Sequence, residues 1–412
     1  MQIGSIDDAR QLDEADPLRD FRSSFDLPQG IVYLDGNSLG ALPAAAAPRL
    51  TDLVVKEWGR GLVRSWNGDW IDAPTRVGDK IAQLIGAQDG EVIVADSTTI
   101  NVCKLLYAAL AARSDRSIVL SEPGNFPTDL YAVQGVIRSL GGHHALQLVD
   151  IGKLAASINE DTALVLLTHV HYKTAAIRDM RAITSKAHEH GALVLWDLSH
   201  SAGAVDVDLN GAGADLAVGC GYKYLNGGPG APAFLFVARR HQTSLDTALA
   251  GWMGHAAPFE FSDGYTPAPN IRRFITGTPA ILGIAALEVG VDIHLRAGMR
   301  RLVAKSQALS DCFMMLVEPF CAKHALRIAT PLIPEERGSH VALTSQEGFR
   351  ITQALIERGI IGDFRAPDTL RFGFAPLYTR YQDVWLAAQA LREILETESW
   401  RAERHAHKGR TT

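Results

Sequence analysis

Residues 163–197 carry the pattern that decides the fold: Ala163-Leu-Val-Leu-Leu-Thr168, then Asp179-Met-Arg-Ala-Ile-Thr-Ser-Lys-Ala-His-Glu-His190, then Ala192-Leu-Val-Leu-Trp-Asp197. Two apolar runs of strand length flank a segment with helical character. Strands that are apolar at nearly every position are buried on both faces, as in a parallel sheet covered by helices. The alternation extends outward on both sides. Upstream, Glu91–Ala95, Ser117–Leu120 and Ala145–Val149 read as strands, with helices over Thr99–Ala112 and Thr128–Leu140. Downstream, Asp215–Gly219 and Ala233–Val237 are further apolar runs that flank a loop rich in Gly and Tyr. The expected class is α/β: a large, mostly parallel sheet with helices on both faces.

Beyond this centre the pattern changes. Ile31–Leu34 reads as a short strand, followed by a Gly/Asn/Ser turn and a helix starting near Pro43, a residue tolerated in a first turn. Ala280–Phe320 is long and helical, interrupted by Gly283, Gly290 and Gly298. It leads into a smaller C-terminal α/β lobe, with strands at His340–Thr344 and Leu370–Phe374 and helices at Gln346–Arg358 and Asp383–Glu396. The expected division is an N-terminal arm with the start of the small lobe over 1–45, a large domain over 46–290, a small domain over 291–400 and a frayed polar tail over 401–412. The arm is expected to dock on the larger body.

Composition narrows the function. The chain has 412 residues, 47 % hydrophobic and 21 % charged, with a formal net charge of −6. Those values describe a soluble globular protein and exclude disordered and fibrous classes. An acidic balance disfavours nucleic acid as a partner. The acidic first twenty residues do not fit a secretory signal, and no run approaches the ~18 apolar residues that a spanning helix needs, so no membrane is expected. Cys103, Cys220, Cys312 and Cys321 have no C-x-x-C spacing and suggest neither zinc nor disulfides, which points to the cytoplasm.

In an open α/β sheet, ligands bind beyond the carboxyl ends of the strands. Asp96-Ser-Thr-Thr99 follows one strand and opens a helix, a place that suits either a phosphate or an ordinary cap. The strand ending in Trp196 runs into Asp197, with His200 close behind, and Lys223 lies in Gly219-Cys-Gly-Tyr-Lys-Tyr-Leu-Asn-Gly-Gly-Pro-Gly230. A strand-end carboxylate and a lysine in a Gly-rich, aromatic-flanked loop are what pyridoxal phosphate requires. The lysine holds the aldehyde as a Schiff base, and the acid keeps the pyridine nitrogen protonated, so that the ring accepts electrons. His169 with His171, and His143 with His144, lack a third ligand at metal spacing, so no metal is expected. Gly36-Asn-Ser-Leu-Gly40 matches the G-x-S-x-G pattern of hydrolases, but only one short strand precedes it, which excludes a nucleophile elbow and leaves a Gly-rich turn near a cleft.

Taken together, these residues resemble pyridoxal-phosphate enzymes of the aspartate aminotransferase fold (fold type I, PLP-dependent transferase-like), and within them the kynureninase family. The likeness runs from Tyr33-Leu-Asp-Gly-Asn-Ser-Leu-Gly40 through Asn125-Phe-Pro-Thr-Asp129, Trp196-Asp-Leu-Ser-His200, Tyr222-Lys-Tyr-Leu-Asn226, Gly251-Trp-Met-Gly-His255 and Arg272-Arg-Phe to Arg371-Phe-Gly-Phe-Ala-Pro-Leu-Tyr378. The resemblance implies that Lys223 is the Schiff-base lysine, that Asp197 faces the ring nitrogen and that His200 lies beside the ring. Thr98, Thr99 and Tyr222 would hold the phosphate. Phe126 would stack on the ring, with Pro127, Thr128, Asp129 and Thr168 completing the cofactor contacts. Trp252 and Thr278 match positions that reach the neighbouring subunit's cofactor, so a homodimer with sites at the subunit interface is implied. Arg371 would grip the substrate α-carboxylate, a bidentate task suited to a guanidinium. Asn37 and Ser38 would share the substrate side, and Trp66, beside Trp70, would suit the aromatic ring of kynurenine or serve as core.

The implied activity is hydrolytic cleavage of L-kynurenine, or its 3-hydroxy form, to anthranilate, or 3-hydroxyanthranilate, and L-alanine. Such a reaction belongs to tryptophan catabolism or to nicotinamide cofactor synthesis. Tyr222 is the candidate general acid/base at the ketone. One departure stands out: His171-Tyr-Lys-Thr-Ala-Ala-Ile-Arg-Asp179 lacks the Gly expected after Thr174. Two other readings stay open, a cysteine desulfurase-like lyase of the same fold and a catalytically silent pyridoxal-phosphate protein. The first needs a nucleophilic Cys on a mobile loop, and Cys312 and Cys321 fall in a helix.

Overall fold

The computed structural model describes residues 3–407. Its centre is a seven-stranded sheet of β1 (Val92–Val94), β2 (Ile118–Ser121), β3 (Ala145–Leu148), β4 (Thr162–Thr168), β5 (Leu193–Asp197), β6 (Leu216–Gly219) and β7 (Phe234–Val237), in the order β1-β7-β6-β5-β4-β2-β3. From β6 to β3 all pairs are parallel. β7 runs antiparallel to both β6 and β1, a reversal that its apolar run does not announce.

Side chains alternate along each strand, and both sets are buried. Val165, Leu167, Val194, Trp196, Phe234 and Phe236 face one core, which is closed by helices Ala73–Leu84 and Ile281–Ala297. Leu164, Leu166, Leu193, Leu195, Leu216 and Val218 face the other, under helices Thr98–Ala112 and Pro127–Ser139. The strands therefore read as continuous apolar runs because each face has its own helical cover. Among the described residues no helix is long and apolar enough to cross a membrane.

The smaller lobe is a four-stranded antiparallel sheet. It is built from β8 (Arg327–Ile328), β9 (His340–Thr344), β10 (Asp363–Arg365) and β11 (Thr369–Gly373), in the order β8-β9-β11-β10. Helices Gly348–Glu357 and Tyr381–Glu396 pack on it around Phe313, Phe372 and Phe374. The N-terminal segment joins this lobe. Val32–Tyr33 pairs in parallel with Ile360–Ile361. Helix Ile6–Ala15 lies on the same lobe: Asp13 accepts the backbone N–H groups of Tyr381 and Gln382, and Asp16 pairs with buried Lys305 at 2.6 Å.

Several local expectations are corrected. The helix expected near Pro43 starts at Ala46, because Leu42–Pro43 pairs with Phe25–Asp26. The long helical stretch is two helices, Ile281–Ala297 and Met299–Cys321, broken at Gly298, whose φ is +80°. The division expected at 290/291 thus falls inside a helix. A further helix, Ile151–Ser157, was not foreseen. The tail does not fray from residue 401: Ser399–Arg401 and Glu403–His405 form 3-10 turns, and buried His405 sits 2.8 Å from Glu357. The rest of the expected frayed tail, 408–412, lies outside the described residues.

Candidate active site

Strands β4 and β5 end side by side, with Thr168 and Asp197 in register. Asp197 is 4 % exposed, and its Oδ1 accepts the N–H of Ser199 at 2.7 Å. Asn125, just before helix Pro127–Ser139, ties the floor together: its Oδ1 accepts the N–H of Thr168 at 2.7 Å and its Nδ2 donates to Asp129 at 3.1 Å. Burial, and then the nearby Asp197 carboxylate, hold the Asp129 carboxyl well above its ordinary range.

Lys223 follows β6 in a loop shaped by its neighbours. The N–H of Asn226, a residue in the left-handed region at φ +58°, closes a turn onto the Lys223 carbonyl at 3.0 Å. The turn 36–40 docks on this loop. Gly40 donates its N–H to the Tyr222 carbonyl at 2.8 Å, and a Cβ on Gly40 would lie 2.3 Å from the Lys223 carbonyl oxygen. Only glycine permits that approach. The G-x-S-x-G pattern is thus a docking turn.

Lys223, Tyr222, Phe126, Pro127, His200, Asn37, Ser38 and Arg371 line one cavity of about 280 Å³, joined by Tyr172 and Arg365. Lys223 is 8 % exposed and its Nζ makes no hydrogen bond or ion pair with the described residues; Nζ lies 5.6 Å from the Phe126 ring centre and 5.7 Å from that of Tyr222. Burying an unpaired ammonium is costly unless another group is meant to occupy it. Beside it, His200 Nε2 and Thr168 Oγ1 are buried without a partner. Burial, then the charges of Lys223 and Arg371, push His200 well below its usual range, so its imidazole is neutral.

The opposite wall is cationic. Arg371 is held through Nε to Asp363 Oδ1 at 2.7 Å, through Nη2 to Asp363 Oδ2, and through Nη1 to the Tyr172 carbonyl. Burial opposes the charge on Asp363, but the hydrogen bonds and charge of Arg371, with the charge of Arg365, outweigh it and keep the carboxyl below its ordinary range. Behind them, burial and then Asp363 push Asp35 up to about 7. Tyr172 packs edge-on against Phe126 at 5.3 Å, so the loop 171–175 joins the cationic wall to the lysine side. In that loop Ala175 takes φ +63°, the conformation for which glycine was expected; its carbonyl accepts the N–H of Gly338.

Other expected site residues do not line this cavity in the single chain. Thr98 and Thr99 open helix Thr98–Ala112, where the Ser97 hydroxyl accepts the N–H of Ile100, while Thr128 is half-buried in the first turn of its helix. Trp66 meets Trp70 edge-on at 5.4 Å and shares a separate apolar pocket with Trp58, Thr278 and Ile281, away from Lys223. Trp252 stacks on Phe261 beside a third cavity. Of the histidines set aside as metal ligands, His169 faces Ser201 and His171 faces the Gly124 carbonyl. Cys103 lies in helix Thr98–Ala112, Cys220 is buried beside Ser199, and Cys312 and Cys321 lie in helix Met299–Cys321. Asn125, Tyr172, Asp35, Asp363 and Arg365 were not among the expected site residues, although Asn125 stands in a quoted motif.

The buried unpaired lysine, the strand-end carboxylate and the unpartnered polar atoms between them fit pyridoxal phosphate. Comparison with known proteins agrees. Residues 302–391 match the family model for the kynureninase C-terminal domain. A kynureninase from Burkholderia pseudomallei (strain 1106a) is 48 % identical over 412 residues, covering 98 % of this chain and 99 % of its own. One from Pseudomonas fluorescens is 48 % identical over 399 residues, covering 95 % and 96 %. Among solved structures, a cysteine desulfurase from Thermococcus onnurineus NA1 superposes with a TM-score of 0.78 at 18 % identity, covering 92 % of this chain and 98 % of its own, a likeness of fold alone. Near-complete coverage at 48 % identity, with the lysine and arginine walls of one cavity in place, makes this chain a member of the kynureninase family.

Proposed function

We propose roles for these side chains in the kynureninase reaction, the hydrolysis of the Cβ–Cγ bond of L-kynurenine or 3-hydroxykynurenine that yields the anthranilate and L-alanine. Pyridoxal phosphate supplies the electron sink for that bond cleavage. Lys223 would hold the cofactor's aldehyde, and its free amine would be the base that takes the α-proton. Asp197, at the end of β5 with Asp129 beside it, would face the ring nitrogen and hold its proton. His200 and Thr168 would offer their unpartnered atoms to the ring, Phe126 and Pro127 would pack on it with Thr128 beside them, and Thr98, Thr99 and Tyr222 would hold the phosphate. Arg371, oriented by Asp363, receives the α-carboxylate, with Asn37 and Ser38 beside it. Burial keeps the Tyr222 phenol protonated far above neutral pH, so it is a proton donor to the ketone oxygen as water adds there. The water oxygen ends in the anthranilate carboxylate, and a proton ends on the carbon that becomes the alanine methyl.

Trp252, Thr278 and Trp66 lie away from the Lys223 cavity of their own chain, which supports a homodimer in which they complete the partner's site. The cytoplasm is the proposed compartment. One observation carries the reading: the unpaired, buried Lys223 shares its cavity with the Arg371–Asp363 pair. The test is product analysis of the cofactor-loaded protein with L-kynurenine and, separately, L-cysteine. Equimolar anthranilate and L-alanine are expected; sulfur released from L-cysteine with no anthranilate would overturn the assignment in favour of a desulfurase.

A further inference from the structure

The cationic wall carries one more guanidinium than the α-carboxylate grip of Arg371 explains. β10 and β11 run antiparallel with Asp363 opposite Arg371, and Arg365 lies two residues beyond Asp363 on the same strand. Residues two apart on a strand share a face, so Arg365 and Asp363 point the same way. Arg365 Nη2 lies 2.6 Å from Asp363 Oδ2 and donates to Ser38 Oγ at 3.2 Å. Arg371 Nη2 donates to the same hydroxyl at 3.1 Å, and that hydroxyl donates to Asp363 Oδ2 at 2.8 Å. Two guanidinium groups therefore converge on one serine and one carboxylate.

The charges do not balance within this cluster. Asp363 is matched by Arg371, which engages both of its oxygens, and both side chains are 1 % exposed. Asp35 stands behind them, largely protonated below neutral pH because burial and Asp363 disfavour its charge. Two guanidinium groups thus share one carboxylate charge, and the one open to the cavity is Arg365, whose side chain is 38 % exposed. An entering carboxylate meets two guanidinium groups that share the single charge of Asp363, and Arg365, the more exposed of the two, supplies the net attraction.

We propose that Arg365 is the second arm of the substrate-carboxylate site and the residue that makes the site select amino acids over amines. The proposal rests on the kynureninase reading for the position of the α-carboxylate. It assigns Arg371 to orientation, through its fixed bidentate pair with Asp363, and Arg365 to charge recognition. Ser38, shared by both, sets their spacing.

The test uses binding, read as the change in visible absorption of the cofactor-loaded enzyme when titrated with L-alanine or with ethylamine, the same amine without a carboxylate. Arg365→Gln is expected to weaken L-alanine by about 10- to 100-fold, the worth of a charge-assisted contact, and ethylamine by less than about twofold. Arg365→Lys is expected to recover most of the L-alanine affinity, and KM for L-kynurenine in Arg365→Gln should rise while kcat stays within about threefold. An equal loss for L-alanine and ethylamine would show a merely structural residue and overturn the proposal, as would unchanged L-alanine binding. A wild-type enzyme that binds L-alanine but releases no anthranilate would sink the kynureninase reading and leave the Arg365 result to stand on its own.

Discussion

Asp35 offers a test of the cationic wall through stability. Its carboxyl rises from 3.8 to about 7, chiefly through burial and then through Asp363. In the pH window between those values the folded chain keeps a proton that the unfolded chain has released. Stability therefore falls as pH rises from about 4 to about 7 and levels off above that, by ~4 kcal/mol in all at ~1.4 kcal/mol per unit. Asparagine has the same shape and no charge to bury, so Asp35→Asn escapes this loss. The variant should be more stable than wild type at pH 8, and the gap should widen by about 2–3 kcal/mol between pH 5 and pH 8. Urea midpoints of the cofactor-loaded protein at fixed protein concentration measure it. A gap that does not change with pH, or a variant less stable than wild type at pH 8, would refute the reasoning and place the Asp35 charge in a compensated site.

Three further outcomes follow from the geometry. Gly40→Ala places a Cβ 2.3 Å from the Lys223 carbonyl oxygen, so the lysine loop must shift; kcat should fall by more than about tenfold with far-UV circular dichroism unchanged, as steady-state kinetics would show. Glu122→Gln breaks a bidentate pair with Arg178, whose contacts are 2.9 and 2.8 Å, and should cost about 3 kcal/mol in denaturant unfolding. If Trp252 serves the partner's site, Lys223→Ala and Trp252→Ala should complement each other: refolded as a mixture, the two inactive proteins should regain about a quarter of wild-type activity, because half the dimers carry one intact site. No recovery in the mixture would place Trp252 in its own subunit's site or outside any site.

The sheet was legible because its signal is local. Leu164–Leu167 and Leu193–Trp196 are apolar on both faces, and each strand is declared within its own few residues. The antiparallel direction of β7 was not, since pairing partners far apart in sequence decide it. Gly283, Gly290 and Gly298 looked alike in sequence; only Gly298 adopts the positive φ that ends a helix. The tail from Arg401 looked frayed by composition, yet a contact between His405 and Glu357 holds it.

The site divides the same way. Asp197, His200 and Lys223 stand at strand ends or in a Gly-rich loop, where short motifs reveal them, and the Gly expected after Thr174 marked the place where Ala175 takes a left-handed conformation. Asp35, Asp363 and Arg365 gave no such signal. Their meaning arises only when the turn 35–38 meets β10 and β11, more than three hundred residues later in the chain. Trp66, read either as ring-stacking or as core, shares with Trp70 a pocket distinct from the Lys223 cavity of its own chain, a placement its local sequence does not reveal.

The central claim is that Lys223, in a cavity closed by Arg371, carries pyridoxal phosphate and cleaves kynurenine. The most direct measurement follows anthranilate fluorescence and cofactor absorption together, after L-kynurenine is added to wild-type and Lys223→Ala protein, both supplied with pyridoxal phosphate. The account predicts steady anthranilate release from wild type and its loss in Lys223→Ala, together with the loss of the lysine-linked cofactor band. Anthranilate released at a similar rate by both proteins, or a wild type with the cofactor band and no anthranilate, would contradict it.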